Sequence, residues 1–181
     1  LAEHVAGTEP TFVQMMNTYA KELGMTGSNF TNTAGMPDPE HYTTARDAAI
    51  LSSALIHEFP EYYRWYAQRE FSWNGITQQN RNGLLWRDPS VDGVKTGHTE
   101  SAGYCLVASA KRDGMRLVSA VLGTESMRAR EDANAALGAI DLPSEVSRTF
   151  DVGGPDVLTY QEMMQRYAAV AGLRPRIILP I

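Results

Sequence analysis

Val91-Asp92-Gly93-Val94-Lys95-Thr96-Gly97-His98 is the stretch on which the fold of this chain turns. Val91 to Lys95 has the composition of a strand. It runs into a cation, a hydroxyl and a residue with no Cβ, Lys95-Thr96-Gly97. Two further strands follow, Tyr104 to Ala110 and Met115 to Leu122, joined by Lys111-Arg112-Asp113-Gly114. Both are apolar on each face, the pattern of central strands covered by helices on either side. Upstream, Phe71 and Trp73 alternate and Asn74-Gly75 supplies a tight hairpin turn.

Helical periodicity accounts for most of the remainder. Phe12, Met16, Tyr19, Ala20 and Leu23 predict a helix from Thr8 that stops at Gly24. Leu1, Ala2 and Val5 have helical spacing with no capping residue before them, so the chain is expected to begin inside a helix. Residues 25–43, rich in Thr, Asn, Gly and Pro, are a loop. Thr44 with Asp47 marks a capped start, and Ala48, Leu51, Ala54 and Leu55 form the apolar stripe of the helix that follows. A short helix is expected from Glu61 to Ala67 and another from Ser126 to Leu137. Further on, Arg148 to Val152 predicts a strand, Gly153-Gly154-Pro155-Asp156 a turn, and Thr159-Tyr160-Gln161-Glu162 the cap of a last helix.

Composition excludes several classes of function. The 181 residues are 43% hydrophobic, enough for one core, and the 21 acidic and 16 basic residues are dispersed, giving a net charge of −5. Nucleic acid and anionic membrane are therefore not expected partners, and no stretch is apolar for long enough to span a bilayer. A single cysteine, Cys105, excludes an internal disulfide and a cysteine zinc site, and its apolar neighbours predict a buried, inert thiol. His4, His41 and His57 sit at unrelated spacings and are expected at the surface. Trp65, Trp73 and Trp86 are expected to pack in the core or on the hairpin.

Asn80-Arg81-Asn82-Gly83-Leu84-Leu85-Trp86, Val91 through Thr99, Ala102-Gly103-Tyr104 and Leu106-Val107-Ala108-Ser109-Ala110 come in that order. Through these blocks, residues 1 to about 133 resemble the latter part of the catalytic domain of the D-alanyl-D-alanine carboxypeptidases, the low-molecular-mass penicillin-binding proteins. The resemblance implies an α/β fold of the α+β type: an antiparallel sheet flanked by helices, a partial transpeptidase fold of the kind shared with β-lactamases, with a short α/β tail. It implies a D-Ala-D-Ala peptide or a β-lactam as ligand, no cofactor and no metal, and a periplasmic or cell-envelope setting.

By the same resemblance Lys95 places positive charge beside the nucleophile and the Thr96 hydroxyl meets the substrate carboxylate. Gly97 admits the substrate backbone, and His98 gives its backbone N–H to the oxyanion hole. Arg81 and Arg130 border the cleft and draw in the carboxylate. In that family a serine attacks and a lysine one helical turn away takes its proton. No serine of this chain has lysine three positions on, and no Ser-Asp-Asn or Ser-Gly-Asn triplet occurs.

Residues from about 141 to 181 resemble instead the C-terminal part of an NAD(P)-binding epimerase or short-chain dehydrogenase, through Arg148 to Asp156 and the helix after it. A junction is expected between residues 130 and 142, dividing the chain into 1–133 and 134–181. The tail lacks the G-x-G-x-x-G turn that holds a pyrophosphate, so no dinucleotide is expected. The expectation is a fragment or fusion of a serine D,D-carboxypeptidase, inactive alone. The alternatives are a non-catalytic D-Ala-D-Ala binding module, half of a split enzyme, and, last, an oxidoreductase. Uncovered sheet surface is expected to drive self-association or pairing with an N-terminal half.

Overall fold

The structure is a computed structural model and describes residues 1–138; the strand, turn and helix expected in the tail lie outside the described residues. The chain opens on a single turn, α1 (Ala2–Ala6), which Gly7 ends at φ 79. The helical spacing at Leu1 and Val5 is therefore a separate turn. In α2 (Glu9–Glu22) the Thr8 hydroxyl accepts the Thr11 N–H at 3.3 Å, and Pro10 occupies the first turn, where no intrahelical donor is needed. Gly24, at φ 81, takes the left-handed conformation that ends it.

After the loop, α3 (Ala45–Glu58) starts on Thr44, whose hydroxyl accepts the Asp47 N–H at 3.1 Å. The Asp47 carboxylate, 1% exposed, turns to the loop and accepts the Gly27 N–H and the Ser28 hydroxyl, at 2.8 and 2.7 Å. The inward face of α3 differs from the expected stripe. Ser52 and Ile56 are buried and Leu51 is exposed. Ser52 can enter the interior because its hydroxyl donates to Ala48 O at 2.8 Å. The expected Glu61–Ala67 helix is split into α4 (Pro60–Tyr63) and a 3-10 turn, Arg64–Ala67.

The hairpin forms as expected from β1 (Glu70–Trp73) and β2 (Ile76–Gln79), with Asn74 at φ 48 and Gly75 at φ 75. A short α5 (Leu84–Arg87) leads into a three-stranded antiparallel sheet of β3 (Val91–Thr99), β4 (Gly103–Arg112) and β5 (Met115–Thr124), in the order β3-β4-β5. The chain then closes its described part with α6 (Met127–Gly138). Only Asp113 and Gly114 turn between β4 and β5, so both strands exceed the expected lengths. β4 is central, whereas β5 pairs only with β4 among the described residues.

Side-chain alternation divides the core into two clusters on opposite sheet faces. Leu106 and Ala108 of β4 pack with Leu84 of α5 and with Val91. On the other face Val107 and Val118 join Ile56, Tyr63 and Val94. α6 covers the first face: Asn134 Nδ2 donates to Leu106 O at 3.2 Å, and its Oδ1 accepts the Ser119 hydroxyl at 2.6 Å. The fold is thus an antiparallel sheet with helices on both sides, as the sequence implied.

Beside the second cluster Arg116 donates to both Asp92 oxygens at 2.8 Å, and the Tyr63 hydroxyl donates to Asp92 Oδ1 at 2.8 Å. Burial, above all, holds the Tyr63 phenol proton well above the ordinary tyrosine range. Because the folded value exceeds the unfolded one, this stabilisation is complete below an unfolded pKa of about 10 and is lost as pH rises from there towards the folded value. A spectrophotometric titration is expected to show one tyrosine ionising only as the protein unfolds in alkali. That step should be missing in Tyr63→Phe; its survival there would contradict the assignment.

Candidate ligand-docking edge

β3 does not close at Lys95. It continues in register with β4 as Lys95↔Val107, Thr96↔Leu106, Gly97↔Cys105 and His98↔Tyr104, up to Thr99↔Gly103. Gly103 ends this pairing at φ 64, where an added Cβ would stand 2.8 Å from Thr124 O. β3 is an edge strand: its other side has no strand partner among the described residues. Lys95, Gly97 and His98 are exposed and Thr96 is half-buried. The Lys95 ammonium donates to Thr96 O at 2.6 Å, and the His98 ring lies against Tyr104 with centroids 3.9 Å apart.

Two glycines of this strand are required for different reasons. At Gly93 an added Cβ would sit 2.6 Å from the Tyr63 hydroxyl, so packing within the fold excludes any side chain. At Gly97 the nearest atom would be the Cys105 Cβ at 3.7 Å, an ordinary contact, and φ lies outside the left-handed region. The fold therefore has room for a side chain at position 97. Its absence leaves the sheet face bare beside the edge.

Arg81 reaches the same cleft because the asparagines flanking it anchor the loop. Asn80 Nδ2 donates to Tyr66 O and Gln68 O at 3.3 and 3.0 Å. Asn82, 2% exposed, donates to Gly93 O at 3.0 Å and accepts the Leu84 N–H at 3.2 Å. Arg81 itself is exposed and lines an open cleft with Lys95, Thr96, Val94 and the aromatics Tyr62, Trp65 and Tyr66. Two cations converge there on a largely apolar wall.

Several sequence expectations need correction. Trp65 and Trp86 are not core residues: they are 53% and 43% exposed, and Trp65 meets Tyr62 edge-on in the cleft wall with centroids 5.3 Å apart, whereas Trp73 lies on the hairpin, opposite Ile76. The Tyr62 and Trp65 wall escaped sequence reasoning, since Tyr and Trp on one helical turn carry the same signal whether buried or exposed. His41 is half-buried; its Nδ1 accepts the Thr31 N–H at 3.2 Å and so knits the 25–43 loop. Cys105 is half-buried, with Sγ accepting the Gly123 N–H at 3.5 Å.

Arg130, expected at the cleft mouth, is 2% exposed. Its guanidinium lies under the sheet edge and donates to Gly97 O, Cys105 O and Arg81 O at 3.1, 3.3 and 3.3 Å. One Ser-x-Asn triplet does occur, Ser72-Trp73-Asn74. It belongs to the hairpin, where the Ser72 hydroxyl pairs with Thr77 Oγ1 at 2.7 Å and Asn74 forms the turn. Among the described residues no cluster of His, Cys, Asp and Glu could hold a metal ion, and no helix is long and apolar enough to cross a membrane.

The structure superposes on penicillin-binding protein 5 from Haemophilus influenzae with a TM-score of 0.73 and 46% identity, covering 75% of this chain and 40% of that one. It also superposes on penicillin-binding protein D2 from Listeria monocytogenes in its cefotaxime-bound form, with a TM-score of 0.66 and 32% identity over 70% of this chain and 53% of that one. This chain belongs to the D-alanyl-D-alanine carboxypeptidase family, peptidase S11, which it matches over residues 1–126. It is 47% identical over 133 residues to D-alanyl-D-alanine carboxypeptidase DacD of Salmonella typhimurium, a match covering 73% of this chain. The chain spans about a third of the length of that relative, 34%. The family match ends before the tail, and the epimerase-like resemblance falls on residues outside the description.

Proposed function

We propose that these residues form the docking side of a D-alanyl-D-alanine carboxypeptidase cleft and take no chemical step alone. The observation carrying this reading is the exposed Lys95–His98 edge, bare at Gly97 and flanked by Arg81. A peptide ending in D-Ala-D-Ala, or the β-lactam that resembles it, adds along β3 by main-chain hydrogen bonds. Thr96 and Arg81 hold its carboxylate, Lys95 supplies positive charge, and the His98 N–H polarises the carbonyl under attack. Relatives with cefotaxime and ampicillin bound support a β-lactam as ligand. The family's cell-wall substrate supports an envelope setting for the reaction.

Acyl transfer needs a nucleophile and a base within hydrogen-bond reach, and this chain contains no Ser-x-x-Lys. Both groups have to come from residues other than these. The domain boundary expected at residue 133 falls inside α6, where Asn134 is buried against β4, so the carboxypeptidase part is better taken through Gly138. The remaining tail is a segment of separate descent. Incubation with a fluorescent penicillin tests the reading: no covalent band is expected on this chain alone. A stable adduct would show that a nucleophile is present.

A further inference from the structure

We propose that Asn74 is a site of spontaneous covalent modification, deamidation to isoaspartate at the tip of the β1–β2 hairpin. The chain has two Asn-Gly pairs, Asn74-Gly75 and Asn82-Gly83. Glycine after asparagine leaves the following backbone nitrogen unshielded, free to attack the asparagine side chain, so the two pairs are equivalent as sequence. The fold treats them in opposite ways. Asn82 is 2% exposed and both ends of its amide are engaged: Nδ2 donates to Gly93 O at 3.0 Å and Oδ1 accepts the Leu84 N–H at 3.2 Å. Gly83 beside it is helical, and a Cβ there would run into the Glu131 carboxylate. Held by two hydrogen bonds and shut away from water, this amide cannot turn onto its neighbour.

Asn74 and Gly75 are exposed, and the Asn74 amide has no hydrogen-bond partner among the described residues. Nothing lies within 4 Å of a Cβ built at Gly75. Every residue of β1 and β2 is exposed as well. A two-stranded hairpin with no buried face is marginal in water, so it opens locally while the core stays folded. Opening gives the Gly75 nitrogen the freedom to reach the Asn74 side chain that the closed turn withholds.

The Gly75 nitrogen then forms a bond to Asn74 Cγ, and the side-chain nitrogen leaves as ammonia, taking the proton that the Gly75 nitrogen gives up. Water opens the resulting five-membered imide. Attack at Cγ yields an aspartate in an unaltered main chain; attack at the main-chain carbonyl leaves Gly75 joined through Cγ, an isoaspartate. Water is consumed and ammonia released, with no oxidant or reductant. The isoaspartate adds one atom to the main chain and a carboxylate to the tip. Because the two-residue turn sets the hairpin register, the longer link removes the Trp73↔Ile76 pairing and parts the Ser72 and Thr77 hydroxyls, now 2.7 Å apart. The change stops at the base, where Asn80 Nδ2 is held separately by Tyr66 O and Gln68 O. This chemistry is independent of the proposed docking edge.

Trypsin separates the two pairs, because cleavage after Arg69, Arg81 and Arg87 releases them on different peptides, 70–81 and 82–87. When the full 181-residue chain is aged in mildly alkaline buffer and digested, mass spectrometry is expected to find the deamidated product at Asn74. Labelling by a protein isoaspartyl methyltransferase identifies the isoaspartate. The rate at Asn74 should exceed that at Asn82 at least about tenfold, equivalent to about 1.4 kcal/mol. In urea the two rates should converge, and Asn74→Gln should abolish the product on 70–81. Amide resonances of the aged, isotope-labelled chain should lose their strand shifts at 70–79 while β3, β4 and β5 keep theirs. Equal rates in the folded chain, faster reaction at Asn82, or an Asn74 that stays intact while the urea-unfolded chain reacts would overturn the assignment.

Discussion

Replacing Gly97 by valine is expected to leave the protein folded, slightly more stable, and unable to dock a D-Ala-D-Ala peptide. The fold supplies space for the new side chain, since the nearest atom to a Cβ there is 3.7 Å away. A β-branched residue also suits an extended edge better than glycine, whose extra unfolded-state freedom costs about 0.5–1 kcal/mol in a strand. The same methyl groups stand out of the sheet face that Gly97 shares with Cys105, beside the line along which a ligand strand pairs about 4.8 Å away, and crowd the ligand's own atoms on that face. Affinity should fall at least tenfold, about 1.4 kcal/mol, while the thermal midpoint stays level or rises. A valine variant that binds as well as the parent would remove Gly97 from the docking surface.

The largest loss of stability is expected from Leu106→Ala. Leu106 is 0% exposed in the central strand and packs with Leu84, Ala108 and Val91. The neighbouring helix is held by polar bonds to Leu106 O and Ser119, so it cannot easily slide in to fill the void. Truncations at sites that cannot collapse cost about 2–5 kcal/mol, a large share of the roughly 5–15 kcal/mol that holds a domain folded. Urea unfolding should show the midpoint falling with an unchanged slope. A loss well under 1 kcal/mol would mean that this cluster is not the centre of the core.

Much of this architecture is legible locally. Thr8 and Thr44 cap α2 and α3 where their hydroxyls stand, and Asn74-Gly75 makes the hairpin turn its left-handed preference requires. The double-faced apolar runs become β4 and β5 because helices cover the sheet on both sides. Local patterns fail where a distant element decides. Nothing near Lys95-Thr96-Gly97-His98 shows that β3 runs on to Thr99, since a polar edge strand resembles a loop until its partner is known. Arg130 looks like a solvated charge in the first turn of a helix, and its burial is seen only with its partners, the carbonyls of Gly97, Cys105 and Arg81, which lie far off in sequence. Ser52 displaces Leu51 from the inner face of α3 through a hydrogen bond to its own helix. The exposure of Trp65 has a related cause: the surface it lines forms a cleft instead of meeting another part of the described chain.

The site divides in the same way. The order of the Asn80–Trp86 and Val91–Thr99 blocks carried the family, and the placement of Arg81 beside Lys95 follows from two asparagine side chains that any loop could have contained. Glycine identity alone could not separate Gly93, excluded from having a side chain by Tyr63, from Gly97, which the fold would let grow.

The docking edge is tested most directly by titrating an acetylated lysyl-D-alanyl-D-alanine peptide into the isotope-labelled chain and following each backbone amide. Shifts confined to Lys95–His98 and Arg81 that grow with ligand up to millimolar concentration are expected, with none in the Gly97→Val variant. Shifts centred elsewhere, or none at those concentrations, would contradict a docking role for β3.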